Sequence, residues 1–268
     1  MTSDRSGEGL EAIVQYNQQA WNEQVRKLNR WTVPVSPGQI AAARRGELKI
    51  DLTPNKPVPL NWLGELSGAN ILCLASGGGQ QGPLLAAAGA NVSVVDQSAN
   101  QLGQDQLVAG REGLQIATIQ CDMRNLEPIA DSSFDLVVNP CSNSFVPDVR
   151  PVWREAFRVL RSGGRLISGW IQPHVFLFEM DDLATGKKEV RYRLPYSDVE
   201  QLSPEQLAKF RNEHEPLWFG HTLTDQIDGQ LAAGFLLKDM YEDVWGEPPW
   251  NQLDSHIASF AATLAIKP

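Results

Sequence analysis

The sequence predicts an α/β fold in which a mostly parallel sheet is covered by helices on both faces. Short apolar runs alternate with helical segments along most of the chain, which is typical of βαβ units. The first run of this series, Asn70 to Leu74, is followed by glycines at 77–79, and the next run ends at an acid, Asp96. A strand, a glycine-rich turn, a helix and a strand in this order form the opening unit of a nucleotide-binding sheet.

The first 60 residues predict a helical arm, residues 1–60, that precedes this core. Apolar residues from Leu10 to about Leu28 recur at helical spacing, which predicts an amphipathic helix. A second helix is expected from Ser36 to about Leu48, with Ser36 as its N-cap and Pro37 in its first turn. The prolines at 54, 57 and 59 then predict an extended connection.

The core is expected over residues 61–268. Its predicted strands are 70–74, 91–95, 114–122, 133–140, 165–172, 236–245 and 256–268. Its predicted helices include 83–88, 98–111, 148–160 and 221–234, with Ser98 as an N-cap and glycines ending the last two. Residues 173–220 are rich in charged and aromatic residues and lack a long periodic segment, so we expect an insertion over the carboxyl ends of the strands.

Net charge, apolar runs and cysteine spacing indicate which partners and which cellular location to expect. The formal net charge of −9 argues against nucleic acid, because phosphate binding depends on clustered Lys and Arg. No charged-then-apolar leader occurs, and no apolar run approaches the ~18 residues of a membrane span, so we expect a cytoplasmic protein without a membrane anchor. The three cysteines are widely spaced, which suits reduced thiols and gives no metal-ligand pattern.

The glycine loop alone leaves two cofactors open. Gly77, Gly79 and Gly82 satisfy the dinucleotide-binding pattern, with Asp96 near the position of a ribose-binding acid. The same residues fit a loop that binds S-adenosylmethionine. Both cofactors need close approach of the backbone, which glycine permits, so the loop does not distinguish them.

Four further segments resemble class I S-adenosylmethionine-dependent methyltransferases, over roughly residues 62–268. They are VVDQSANQL at the second strand end, QCDMRNLEP at the third, SFDLVVNPCSN with WREAFRVLRSGGRLI, and the final helix, Ala-Gly-Phe and two strands. The resemblance implies a doubly wound, Rossmann-like sheet of seven strands whose last strand is antiparallel and lies beside the sixth. It also implies S-adenosylmethionine as cofactor and, with the acidic charge, a small-molecule methyl acceptor.

The resemblance assigns Asp96 to both ribose hydroxyls and places Asp122 and Met123 beside the adenine. The full set of cofactor-binding residues that it implies is Ala75, Ser76, Gly77, Gly78, Gly79, Gln81, Asp96, Gln97, Gln101, Asp122, Met123 and Asn139. The chain departs from the family at Cys73, where an acid is usual, and at Ala75, where glycine is usual. That acid ordinarily helps to orient the methionine end, and Ser76, Gln81 or the arm are the candidates to replace it.

The acceptor is expected beside Trp31, Ser142, Asn143 and His174, with His174 as a candidate general base. In this family a nucleophile attacks the sulfonium methyl in line, and alignment of the reactants matters more than any fixed catalytic residue. Two alternatives stay open: a non-catalytic or regulatory S-adenosylmethionine-binding protein of the same fold, and an NAD-dependent oxidoreductase.

Overall fold

A computed structural model describes residues 9–246 and 251–268, so residues 1–8 of the predicted arm lie outside the described part. The strands are β1 (Asn70–Leu74), β2 (Asn91–Asp96), β3 (Ile116–Gln120), β4 (Phe134–Asn139), β5 (Leu160–Ile171), β6 (Tyr196–Ser197), β7 (Phe219–Gly220), β8 (Leu236–Asp243) and β9 (Phe260–Ile266). Within these described residues, β6 and β7 pair only with each other, and the other seven strands form one sheet.

The helices are α1 (Leu10–Arg26), α2 (Pro37–Arg44), α3 (Leu60–Leu63), α4 (Gln81–Ala87), α5 (Ala99–Glu112), α6 (Arg150–Val159), α7 (Met180–Thr185), α8 (Asp198–Gln201), α9 (Pro204–Asn212) and α10 (Gly229–Ala233). The predicted caps are present: the Ser36 hydroxyl accepts from the Gln39 N–H, and the Ser98 hydroxyl accepts from the Gln101 N–H. Among the described helices, none has the length and apolar character needed to cross a bilayer.

The sheet has the order β3-β2-β1-β4-β5-β9-β8. The first five strands in this order are parallel, and β9 runs antiparallel to both β5 and β8, between which it lies. The predicted doubly wound, seven-stranded sheet with an antiparallel last strand is therefore confirmed. In such sheets ligands bind outside the carboxyl ends of the strands, where the strand order reverses, here between β1 and β4.

The central strands are buried on both faces. In β1, Ile71 and Cys73 belong to the core beneath α2 and α4, while Leu72 and Leu74 belong to the core beneath α6. Successive side chains of a strand point to opposite faces, so a continuous apolar run fills two cores at once. This packing on both faces fixes the position of β1 and therefore of the loop that follows it.

The boundary between α6 and β5 differs from the predicted one. The sequence predicts a helix to residue 160, a stop at 162–164 and a strand from 165, whereas α6 ends at Val159 and β5 begins at once at Leu160. Residues 161–164 form an irregularity in β5, since Phe134 pairs with Leu160 and Leu136 pairs with Arg165. Gly163 has φ of 76°, and its N–H donates to the Lys267 carbonyl at 2.8 Å. Gly163 therefore belongs to a bulge in β5 that lies beside Lys267.

Helix α1 packs on α5 and on the segment that precedes β7. The buried Asn17 amide donates to the Phe145 and Leu217 carbonyls at 3.0 and 3.1 Å and accepts from the Leu217 N–H at 2.8 Å. Gln18 donates to the Gln97 carbonyl at 2.8 Å, at the end of β2. These contacts hold α1 beside the carboxyl ends of the strands.

Candidate active site

A cavity of about 670 Å³ opens at the carboxyl ends of β1, β2, β3 and β4. Its volume lies within the range typical of small-molecule and cofactor sites. Of the residues that the sequence assigned to a site, those lining it are Trp31, Ala75, Ser76, Gly77, Gln81, Asp96, Gln97, Gln101, Asp122, Met123 and Ser142. Gly78, Gly79, Asn139, Asn143 and His174 are not in its wall.

The β1 loop is packed tightly against α5. A Cβ on Gly77 would lie 2.7 Å from Gln101 Cβ and 2.9 Å from Asp96 Oδ2, so only glycine fits there. Gly78 and Gly79 are buried and do not line the cavity: the Gly78 N–H is shared between the Gln101 carbonyl at 3.0 Å and Asp105 Oδ2 at 3.1 Å, and the Gly79 carbonyl accepts from the Val35 N–H at 2.9 Å. In this structure their backbone groups contact α5 and the arm, and their assignment to the cofactor stays a prediction.

Asp96 ends β2 with its carboxylate held by the loop. Its Oδ2 accepts from the Gly77 N–H at 3.1 Å, and its Oδ1 accepts from the Ser98 N–H at 2.8 Å. Burial raises the pKa of Asp96 to about 6, and hydrogen bonds from the backbone of Ser98, Gly77 and Gln97 oppose the shift. The backbone thus orients the carboxylate of a residue that lines the cavity.

Asp122 lies just beyond β3 and is already paired. The Arg124 guanidinium contacts both carboxylate oxygens, with Nε at 3.1 Å from each and a terminal nitrogen at 2.6 Å. Met123, the next residue, is buried, and its sulfur is 4.0 Å from the Ser142 hydroxyl. This side of the cavity therefore combines a neutralised acid with an apolar floor.

Asn139 connects three strand ends from behind the cavity wall. Its amide donates to the Leu74 carbonyl at 3.2 Å and to Ser142 at 2.9 Å, while its oxygen accepts from the Ser168 hydroxyl at 2.8 Å. Asn143 is also fully buried and faces Gln226, 3.3 Å away. The structure thus brings Ser142 to the cavity and leaves both asparagines behind it.

Aromatic rings form two groups around the cavity. Phe145 lies between Trp21 and Trp218, with ring centroids 4.8 and 4.9 Å apart. Trp245 packs on Phe260 at 4.7 Å and on Trp31 at 6.4 Å. All six rings belong to the cavity wall. These rings come from the arm, the β4 loop, the insertion and the last strands, which meet only in the folded chain.

Comparisons with known proteins agree with this geometry. The family described as "Methyltransferase domain" matches residues 72–168. A Bacillus subtilis (strain 168) protein described as "Uncharacterized methyltransferase YbaJ" is 45% identical over 258 residues, covering 96% of this chain and 100% of that protein. The chain belongs to the class I S-adenosylmethionine-dependent methyltransferases.

Solved methyltransferase structures share the fold. An S-adenosylmethionine-dependent methyltransferase from Mesorhizobium loti aligns with a TM-score of 0.58 at 18% identity, covering 77% of this chain and 94% of that one. The 1,6-didemethyltoxoflavin-N1-methyltransferase of Burkholderia thailandensis, with bound 1,6-didemethyltoxoflavin and S-adenosylhomocysteine, gives 0.61 at 15% identity, covering 97% and 91%. At these identities the likeness extends to the fold.

This methyltransferase departs from the family pattern at two positions of β1 and its loop. Cys73, where the family usually has an acid, is fully buried in the apolar core, and burial raises the pKa of its thiol. Ala75, where glycine is usual, has φ of 46°, in the left-handed region that a Cβ disfavours. The loop therefore keeps the conformation of a glycine loop while carrying an alanine.

His174, the predicted base, lies in the turn after β5 and is half-buried outside the cavity wall. Burial lowers its pKa, and the charges that face it come from Glu242 and Asp254. It has no hydrogen-bond partner for Nε2 among the described residues. The structure thus separates His174 from the other predicted site residues.

Several cavity residues escaped the sequence-based prediction: Lys49, Asp51, Cys141, Glu215, Trp245 and Phe260. Two of them had a signal in the sequence, because the apolar residues Leu48, Ile50 and Leu52 alternate with Lys49 and Asp51, as in a half-buried extended segment. The others depend on which chain segments meet in space, and no local pattern marks them.

Proposed function

We propose that this methyltransferase binds S-adenosylmethionine in the cavity and transfers its methyl group to a small-molecule acceptor. The observation that carries the proposal is the Gly77–Asp96 contact: a backbone-oriented carboxylate faces the cavity at the end of β2, beside a loop in which only glycine fits. A nucleoside with free ribose hydroxyls suits such a carboxylate, because each hydroxyl can donate to a charged acceptor.

The cavity residues divide between the parts of the cofactor. We assign Asp96 to the ribose hydroxyls, and Gln97 and Met123 to the adenine, with Asp122 holding Arg124 at that end. The segment 75–77 and Ser142 face the methionine end. When bound, the cofactor supplies a methyl group on a positively charged sulfur, which is already a good leaving group.

The protein then has to align the acceptor and exclude water, and the aromatic rings suit both tasks. Trp245, Phe260 and Trp31 offer a flat apolar wall, which favours an acceptor with an apolar or ring-shaped body. The net charge of −9 disfavours nucleic acid as acceptor. The Burkholderia thailandensis enzyme of the same fold, which holds the small molecule 1,6-didemethyltoxoflavin, further supports this acceptor class.

We further propose that the arm, residues 1–60, and the insertion, residues 173–220, act as the cover of the site. The three hydrogen bonds of Asn17 to Phe145 and Leu217 support this, since they join α1 to the β4 loop and to the insertion. Trp31 from the arm and Trp218 from the insertion both line the cavity.

Isothermal titration with S-adenosylhomocysteine and with NAD tests the cofactor. Micromolar or tighter binding of S-adenosylhomocysteine, and none of NAD, is expected; the reverse result would overturn the proposal. Transfer of label from methyl-labelled S-adenosylmethionine is then followed in a metabolite extract separated by size. Label in the small-molecule fraction is expected. Tight binding without transfer to any fraction would instead assign a non-catalytic binding function.

A further inference from the structure

The segment Leu48 to Leu52 presents two charges to the cavity. Leu48, Ile50 and Leu52 are buried, whereas Lys49 and Asp51 alternate with them and line the cavity. The segment lies close over β5, because a Cβ on Gly169 would be 2.6 Å from the Leu52 carbonyl oxygen. Its position is therefore fixed by packing on the sheet.

A chain of hydrogen bonds ties this segment to the glycine loop. The Ser76 hydroxyl is 3.1 Å from Gln81 Oε1, and Gln81 Nε2 donates to the Asp51 carbonyl at 2.9 Å. Both side chains are buried. Ser76 and Gln81 thus serve to hold residue 51 beside the loop, and their polar atoms are engaged with each other and with the segment.

The carboxylates of the described cavity wall are Asp51, Asp96, Asp122 and Glu215. Three of them have partners: Asp96 accepts from Gly77 and Ser98, Asp122 pairs with Arg124, and Glu215 pairs with Lys27 at 3.2 Å. The Asp51 carboxylate has no hydrogen bond or ion pair within residues 9–246 and 251–268.

The surroundings of Asp51 favour a cation. Burial raises the pKa of this carboxyl, Asp243 adds to the rise, and the charge of Lys49 opposes it. An arriving ammonium group would stabilise the charged form of the Asp51 carboxyl. The acid that the family usually supplies from β1 is absent here, since its position is occupied by Cys73, which lies in the apolar core.

We propose that Asp51 binds the α-ammonium group of the methionine part of the cofactor, with Lys49 facing its carboxylate. This inference rests on the proposed function and adds that the arm replaces the missing acid of β1. Lys49 and Asp51 lie on the same side of an extended segment, two residues apart, so they present opposite charges to the two ends of one amino-acid group.

Three ligands separate these roles by titration calorimetry. All three are uncharged at sulfur: S-adenosylhomocysteine carries both charged groups of the amino acid, decarboxylated S-adenosylhomocysteine keeps the ammonium alone, and 5′-methylthioadenosine has neither. Asp51→Asn is expected to weaken the binding of the two ligands that carry the ammonium about ten- to a hundredfold, which is the scale of a lost charged hydrogen bond. The affinity for 5′-methylthioadenosine should stay within twofold of the wild-type value. Lys49→Met is expected to weaken only S-adenosylhomocysteine.

The matched control is Glu47→Gln, which changes an exposed carboxylate of the same connection that pairs with Arg45. It should change no affinity. The inference is overturned if Asp51→Asn binds S-adenosylhomocysteine as wild type does, or if it weakens 5′-methylthioadenosine equally. If wild-type protein binds none of the three ligands, the proposed function itself fails. Unchanged melting temperatures of the variants exclude misfolding as the cause.

Discussion

The Gly77 N–H and the Asp96 carboxylate meet at 3.1 Å and thereby join the loop after β1 to the end of β2. The same carboxylate caps the turn into α5 through Ser98. Asp96 therefore has a structural task in the free protein and, under the proposed function, a binding task in the complex. The two tasks can be separated by experiment.

Asp96→Ala is expected to weaken S-adenosylhomocysteine binding at least tenfold, because the ribose hydroxyls lose a charged acceptor. Calorimetry measures the dissociation constant, with Glu65→Ala, an exposed acid before β1, as the control. 5′-Methylthioadenosine, which keeps the ribose, should lose affinity to the same extent. An unchanged dissociation constant for both ligands would remove Asp96 from the site.

Ala75 and Gly77 give a contrasting pair of substitutions in one loop. Ala75→Gly should change the free energy of unfolding by less than about 1 kcal/mol, because relief of the left-handed conformation offsets the added freedom of the unfolded chain. Gly77→Ala should cost about 1–3 kcal/mol, since the new Cβ would overlap Gln101 and Asp96. Urea denaturation measures both. Equal effects would contradict this account of the loop.

Local signals in the sequence were sufficient to predict the individual strands of the sheet. The apolar run of β1, the glycines and Asp96 lie within one βαβ unit, and the order of these features along the chain locates all of them. The place of β9 between β5 and β8 is a tertiary property, and it was expected only from the family resemblance. The bulge at Gly163 was missed because the same glycines also suit a helix stop.

The candidate site was harder to predict, since its residues come from distant segments. Residue 51 meets Gln81 only after the arm has packed over β5, so no local pattern could pair them. His174 follows a strand end, as many site residues do, but the direction of its turn carries it out of the cavity wall. Sequence position gives the strand end, and the side that a side chain faces depends on packing.

His174→Ala is accordingly expected to leave methyl transfer nearly unchanged, within about threefold, which is below the usual effect of losing a general base. Label transfer to the small-molecule fraction is measured between pH 6 and 9, with wild type in parallel. His256→Ala, an exposed histidine, is the control. A hundredfold loss of rate together with a changed pH profile would show that His174 acts as the base after all.

Asp105, on α5 behind the glycine loop, is fully buried, and its Oδ2 accepts from the Gly78 N–H at 3.1 Å. Burial raises its pKa to about 8, with backbone hydrogen bonds from Gly79 and Gly78 opposing the rise and the charge of Asp96 adding to it. The other oxygen, Oδ1, has no partner among the described residues. This raised pKa favours the protonated form of Asp105 at neutral pH.

The pH dependence of stability follows from that proton. An unfolded aspartate has a pKa near 3.9, so between about pH 4 and 8 the folded state holds the extra proton and stability falls as pH rises. Asp96 contributes in the same direction only up to about pH 6. Between pH 6 and 8 the wild type should therefore lose up to about 1.4 kcal/mol per pH unit relative to Asp105→Asn, in which this titration is absent. Urea denaturation of both proteins at pH 6, 7 and 8 measures the difference. Parallel stability curves over this window would show that Asp105 is ionised in the folded protein, and the glycine loop would then face a buried charge.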